Sequence, residues 1–435
     1  MRLFKENKGV ALMLVLSAIT VLTMMGVEFA YNTSVFHNLA QNEADRLKAY
    51  YLAKSAYNFM RLELKFNQTF QQVVRSQNLG QYLGQNANLP LCQQFPLSTG
   101  LIRTVFVEGA MPGMEGAEGE EEGGEVDEAI EEMRRDTSIA QERQAEEFLS
   151  FDGDFDGECA DEGTKININA LASLSREQDA EGVASPFDRY KQFLFRFMSE
   201  PKFEMLFEKA GVRVLDVVNN MGDWVDSNGE ADDFEGRSSG LEISLYQRAG
   251  VPYQVRNGKL VTLMEAYLID GVVDDWFDPM MNYFTIYSGA GVNVCTAPEE
   301  VVEGVIRAYI DANPGLPPLR LEDPEEMGNL LSAVAEACAS GKSGDDMKNE
   351  LNTAISAAMG QMTAAGGETA AAIQVPFGSL INLDSGVFSL TLGGQVGEIV
   401  VRIKTVIDTT GSSSSGGSAS SVDPSKWRIL YWRVY

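Results

Sequence analysis

The chain has 435 residues, enough for two or three domains, and 44% of them are hydrophobic, enough for buried cores. Its 63 acidic residues outnumber 34 basic ones, and the net charge of −29 argues against a surface built for nucleic acid or anionic lipid, since phosphates would be repelled. A single histidine, His37, leaves a histidine-based catalytic centre without material.

Arg2, Lys5 and Lys8 precede Gly9, and from Val10 to Val27 there are 18 residues without a charge. That length spans most of a hydrocarbon core as a helix. The basic flank keeps the N-terminus in the cytoplasm and places everything after Glu28 outside it. A cleaved secretory signal is the alternative, but no small-x-small site follows the apolar run. The helical pattern instead continues through QNEADRLKAYYLAKSAYNFMRLELKF without a proline, so residues 10 to about 65 read as one helix. Its second half carries Leu47, Tyr50, Tyr51, Ala53, Tyr57 and Met60 at helical spacing, a face for packing on a globular domain.

Residues 66–100 are polar and weakly periodic, and LIRTVFVEG (101–109) alternates like a strand. Residues 109–128 are a Gly/Glu low-complexity insert that cannot form a core. Residues 129–148 read as a short charged helix. FLSFDGDF and TKININ then read as strands paired across an acidic loop, with Asn169 capping a helix from Ala170.

From about 170 to 345 the pattern is helical. Thr262 and Glu265 have capping-box spacing, as do Thr296 and Glu299, with Gly271 at a C-cap and Pro298 in a first turn. Residues 346–372 are Ala/Gly/Ser-rich and read as a linker or a frayed helix. VFSLTLGGQVGEIVVRIKTVID (387–408) reads as two strands around a turn containing the two glycines. After a Ser/Gly loop, WRILYWRVY reads as an apolar, aromatic strand. Strands flanking a helical block predict an α+β fold: a long transmembrane and amphipathic helix on an antiparallel sheet, interrupted by an inserted all-α domain. The boundaries are 1–9 (leader), 10–65 (helix), 66–170 and 373–435 (the two halves of the sheet domain), 171–345 (insert) and 346–372 (linker).

Two acidic stretches could hold a hard cation. Around Gly229, Asp226, Asn228, Glu230, Asp232 and Asp233 offer oxygen ligands in the stretch that opens with Asp223, and Glu242 follows. Asp152, Asp154, Asp156 and Glu158 have the first half of an EF-hand loop, but Gly163 stands where the bidentate Glu belongs, so an acidic hairpin turn is the better reading.

Several of these features together resemble one family. The basic leader, Gly9 and apolar helix resemble a type IV pilin or pseudopilin N-terminus. TKININA, MGDWVDSNGEADDFEG, LYQRAGVPYQVRNGKLVTLMEAYLIDGV, GVNVCTAPEEVVEGVI and the C-terminal strands resemble, in order, segments of the K-type minor pseudopilin of type II secretion. Leu14 stands where most pilins have the Glu of the fifth mature position, the departure typical of the K type. The resemblance implies prepilin-peptidase cleavage between Gly9 and Val10, with methylation of the new terminus. It implies an inner-membrane anchor with a periplasmic domain, a place at the pseudopilus tip with the I-type and J-type minor pseudopilins, and structural Ca²⁺ at the 223–242 loop. Outside the cytoplasm the four cysteines allow two disulfides in three pairings; Cys295 and Cys338 flank one helical stretch, and that bridge is the one predicted.

Rival readings are a minor type IV pilin and a membrane-anchored periplasmic hydrolase using paired carboxylates. The hydrolase lacks a Ser/His/Asp set, HExxH or P-loop. A helix-hairpin-helix DNA-binder, suggested by GVNVCTAP, would need cations where Glu299, Glu300 and Glu303 stand.

Overall fold

A computed structural model describes residues 8–76, 89–103, 151–178, 182–232, 238–247, 252–313, 316, 324–340, 342, 344–364, 373–383, 386–410 and 424–435. The chain opens with α1 (Lys8–Ser76), one continuous helix of 69 residues, on the order of 100 Å long. It runs beyond the expected end at residue 65. Residues 9–44 of α1 are all exposed. Beyond them, Ala49, Ala53, Ala56, Tyr57, Met60 and Leu64 are buried at helical spacing, so the amphipathic half turns one stripe to a core.

That core lies against a sheet. After α1 come α2 (Leu91–Gln94), β1 (Leu97–Ser98), α3 (Thr99–Arg103) and β2 (Asp154–Asp161). The sheet is completed from the far end of the sequence, and its strand order is β1-β2-β7-β8-β9, antiparallel throughout, with β7 (Val387–Val396), β8 (Ile399–Asp408) and β9 (Arg428–Val434). Phe155, Phe388, Leu390, Leu392, Ile403 and Ile407 face α1 and close over Met60 and Leu64. A disulfide between Cys92 and Cys159 ties α2 to β2.

Three local expectations change here. Residues 99–103 form the helical turn α3 rather than the start of a strand; the remainder of 101–109 lies outside the described residues, as do the 109–128 insert and the 129–148 helix. Tertiary contacts decide the matter: Ile102 is buried in the sheet core, and the Thr99 hydroxyl accepts the Phe155 N–H at 2.7 Å and donates to the Phe155 carbonyl at 3.1 Å. Second, the two glycines of the β7–β8 hairpin are inside β7; the turn is Gly397-Glu398, with Gly397 at φ 58°. A glycine with positive φ at the first turn position matches the sheet's twist. Third, TKININ does not pair with the strand before it. Asp161 accepts the Gly163 N–H at 2.7 Å and caps a short turn that takes the chain out of the sheet. Its continuation, β3 (Ile166–Asn167), pairs in parallel with β6 (Phe284–Thr285) instead.

Between β2 and β7, neighbours in the sheet, sits a separate helical core. It contains α4 (Pro186–Met198), α5 (Pro201–Ala210), α6 (Val214–Val225), the β4–β5 hairpin (Glu230–Asp232 and Ser238–Leu241), α7 (Ile243–Tyr246), α8 (Asp274–Met280), α9 (Glu299–Asp311), α10 (Pro324–Cys338) and α11 (Gly344–Ala364). Phe187, Phe197, Trp224, Trp276, Phe277 and Tyr309 fill it. Asn169 does not cap a helix. Its side chain donates to the Leu260 and Ile286 carbonyls at 3.0 and 3.1 Å and accepts the Leu260 N–H at 2.7 Å, stitching three segments together.

The region 346–372 is not a linker over its first part. α11 buries Met347, Leu351, Ile355 and Met359 in the same core, one side chain per turn. Its alanine richness suits close packing on α10. Cys295 and Cys338 form a disulfide, Cα to Cα 5.4 Å, which joins the segment before α9 to the end of α10. Each of the two bridges closes a loop long enough to stabilise the fold by about 4 kcal/mol in the chain-entropy model.

Neither predicted capping box forms as drawn. Pro298 is the N-cap of α9, and the buried Thr296 hydroxyl has no hydrogen-bond partner among the described residues. Thr262 makes no side-chain cap, whereas Glu265 accepts the Val261 N–H at 3.0 Å and the Arg256 guanidinium at 3.0 Å.

Candidate metal centre

The acidic loop is built on the last turn of α6. Asp223 and Asp226 are three residues apart and therefore on one face of the helix. Beyond Asp226 the chain is wound by its own side chains: Asp226 Oδ1 accepts the Asn228 N–H at 3.1 Å, and Asn228 Oδ1 accepts the Glu230 N–H at 2.7 Å. The hairpin β4–β5, with a bulge between Ala231 and Asp232, brings the chain back so that Leu241 pairs with Glu230. The next residue, Glu242, donates its N–H to the Gly229 carbonyl at 3.3 Å and turns its carboxylate inward.

The result is a group of three buried carboxylates. Asp223, Asp226 and Glu242 each offer an oxygen, and these atoms lie within 4.8 Å of one another. Only 4%, 5% and 1% of the three residues is exposed. Arg176 pairs with Asp226 at 2.5 Å and lays its guanidinium 4.0 Å from the centre of the Phe187 ring. Three negative charges this close repel strongly in a medium of low dielectric. A hard divalent cation with oxygen ligands satisfies such a set better than protein cations can, because it replaces repulsion with three short attractions. The donor chemistry fits Ca²⁺.

The surroundings fix the loop from outside. Asn257 has φ 49°, in the left-handed region that asparagine tolerates, and its side-chain amide donates to the Asn228 carbonyl. The Gly258 N–H donates to the Trp224 carbonyl at 3.3 Å. Trp224, Tyr246 and Tyr253 form an aromatic cluster, with centroids 5.3–6.2 Å apart, beneath the helix end. Burial raises the Tyr246 hydroxyl pKa far above its ordinary value, so this phenol stays neutral.

Of the residues that the sequence suggests as ligands, Asp226 and Glu242 meet in this cluster, and Asn228 hydrogen-bonds to Asp226. Glu230 is exposed, Asp232 contributes backbone to β4, and Asp233 lies outside the described residues. Asp223, which opens the acidic stretch in the sequence but stands outside the set named there as ligands, is the third carboxylate of the cluster. The signal was present as Asp223-x-x-Asp226 at the end of a helix. The Asp152–Glu158 stretch is not a turn over most of its length: Asp154, Asp156 and Glu158 lie on the exposed face of β2, projecting in parallel rather than converging. Gly9, Val10 and Leu14 lie exposed on the first turns of α1, and His37 is exposed further along it.

No family model matches the chain, and no curated protein matches it. Among solved structures it is similar to a chain of the GspK-GspI-GspJ complex from the enterotoxigenic Escherichia coli Type 2 Secretion System, at 13% identity and a TM-score of 0.37, over 71% of this chain and 99% of that one. At that identity and TM-score the match bears on neither function nor partners.

Proposed function

We propose that this chain is a minor pseudopilin of the K type, a structural subunit at the tip of a type II secretion pseudopilus. One observation carries the reading: a helix exposed over its apolar first half packs its second half on an antiparallel sheet, and a helical domain is inserted between two neighbouring strands of that sheet. The exposed half suits a bilayer and then the core of a helical fibre. The inserted domain would clash with the next subunit inside such a fibre but is accommodated at its end. Leu14 supports the same place. A subunit without the Glu cannot neutralise the terminal amine of a neighbour ahead of it, so it is best placed where none lies ahead.

The partners are then the I-type and J-type minor pseudopilins, the processing enzyme is a prepilin peptidase, and the anchor lies in the inner membrane with the folded part in the periplasm. Asp223, Asp226 and Glu242 would hold one Ca²⁺, whose charge would stabilise the helical domain without taking part in any reaction. The role is tested by co-expressing the full chain with the I-type and J-type minor pseudopilins of the same bacterium and purifying the chain in detergent. Co-elution of all three is expected. Association of the other two without this chain would contradict it.

A further inference from the structure

Among the described residues the edge of the sheet at β9 is open. Among the described residues β9 pairs on one side only, with β8. Arg402 and Tyr435 exchange both backbone hydrogen bonds, at 2.8 and 2.9 Å. In an antiparallel ladder the adjacent pair, Ile403 and Val434, is then a non-bonded one, so the Val434 N–H and carbonyl point off the sheet. The same alternation turns the backbone of Trp432 outward. The strand is also apolar where it is open: Ile429 is 53% exposed, Leu430 40%, Trp432 36% and Val434 44%. A long, apolar, unpaired edge is a template for another strand, and such edges are usually blunted by charge, proline or a cover.

On the sheet face turned away from α1, the charge at the β8–β9 end has one sign; the carboxylates of Asp154, Asp156 and Glu158 on the same face stand two strands further in, on β2. Lys404 stands opposite Arg433 and next to Arg402, all three exposed. None of them makes an ion pair among the described residues, whereas Arg428 at the start of the strand is paired with Asp408. In a chain of net charge −29 this is a concentrated cationic row beside an open edge.

We propose that β9 accepts an added strand from a partner protein that carries carboxylates at alternate positions. Main-chain hydrogen bonds to Trp432 and Val434 would supply affinity, and the carboxylates facing Arg402, Lys404 and Arg433 would set which face of the added strand turns outward. A second copy of this chain fits less well. Pairing β9 with β9 would bring two cationic rows together, and like charges across a strand pair are destabilising. This inference is independent of the tip role, because any chain with the right strand would serve.

The test uses the full chain in detergent micelles and two labelled, capped octapeptides, one alternating Glu with Val and the other Lys with Val. The Glu peptide is expected to bind and the Lys peptide to bind at least about tenfold more weakly. Val434→Pro removes one outward N–H without touching the β8 ladder, a tolerated change at an edge, and is expected to weaken the Glu peptide by about tenfold. The double variant Lys404→Glu, Arg433→Glu alters exposed side chains only and is expected to reverse the preference. No binding of either peptide, equal binding of both, or unchanged preference in the double variant would overturn the proposal. So would efficient cross-linking of Leu430→Cys copies to one another, which would make the edge a self-interface.

Discussion

Gly394 of β7 lies directly beneath Ala49 of α1, so close that a Cβ built on the glycine would stand 2.0 Å from the Ala49 carbonyl oxygen and 2.5 Å from the Ala53 nitrogen. The helix rests backbone to backbone on the sheet at this point. Small residues on both sides, Ala49 and Ala53 above and Gly394 below, permit that approach. Gly394→Ala is therefore expected to push α1 off the sheet and to destabilise the sheet domain by about 1–3 kcal/mol, the usual cost of overpacking. Denaturant unfolding of the full chain in detergent measures this. An unchanged midpoint would show that helix and sheet do not meet as described.

The carboxylate cluster gives a prediction with a sign on each side. Calcium binding to the folded state alone stabilises by RT ln(1 + [L]/Kd), about 2.7 kcal/mol at a hundredfold excess over Kd. Calcium is expected to raise the melting temperature of the full chain and a chelator to lower it. Asp223→Asn removes one charge from the cluster. It should abolish the calcium response and, in chelator, melt above the unsubstituted chain, because repulsion is relieved. A calcium response that survives Asp223→Asn would move the site elsewhere.

Glu200, the N-cap of α5, is 3% exposed, and its Oε1 has no hydrogen-bond partner among the described residues. Burial first, then the charges of Glu303 and Glu300, push its pKa up to about 9 against partial relief from Arg307 and Lys202. In the unfolded chain the group ionises near its ordinary value of 4.5. Between those values the folded state holds a proton that the unfolded state has lost, so stability falls as pH rises through the window. Glu200→Gln is expected to flatten that fall and to stabilise the helical domain by on the order of 2 kcal/mol near pH 8, with little effect near pH 4. Melting curves across the range check it, and an identical pH slope in the variant would contradict it.

Much of the framework was legible because it depends on local pattern. The unbroken apolar and amphipathic run predicts α1, and two runs rich in β-branched residues around a glycine-containing turn predict β7 and β8. Long-range pairing was not legible. Nothing in TKININ says that Ile166 will meet Phe284, and no local signal makes β2 a neighbour of β7 across the whole helical insert. α11 reads as a linker because alanines and glycines dilute its apolar stripe, although one buried side chain per turn is enough to dock it. At the acidic loop, ligand types, the stretch opening at Asp223 and the later Glu242 could be read directly, but not which of them converge. That follows only from the hairpin that carries Glu242 back to the helix end.

The central claim is that this chain is processed and placed as a pseudopilin, and the intact mass of the full-length protein recovered from bacterial membranes with an active type II secretion system tests it most directly. A mass corresponding to a chain that begins at Val10, heavier by one methyl group, is the expected result. A chain that keeps Met1 to Gly9, or that is cut beyond the apolar run and released from the membrane, would contradict it.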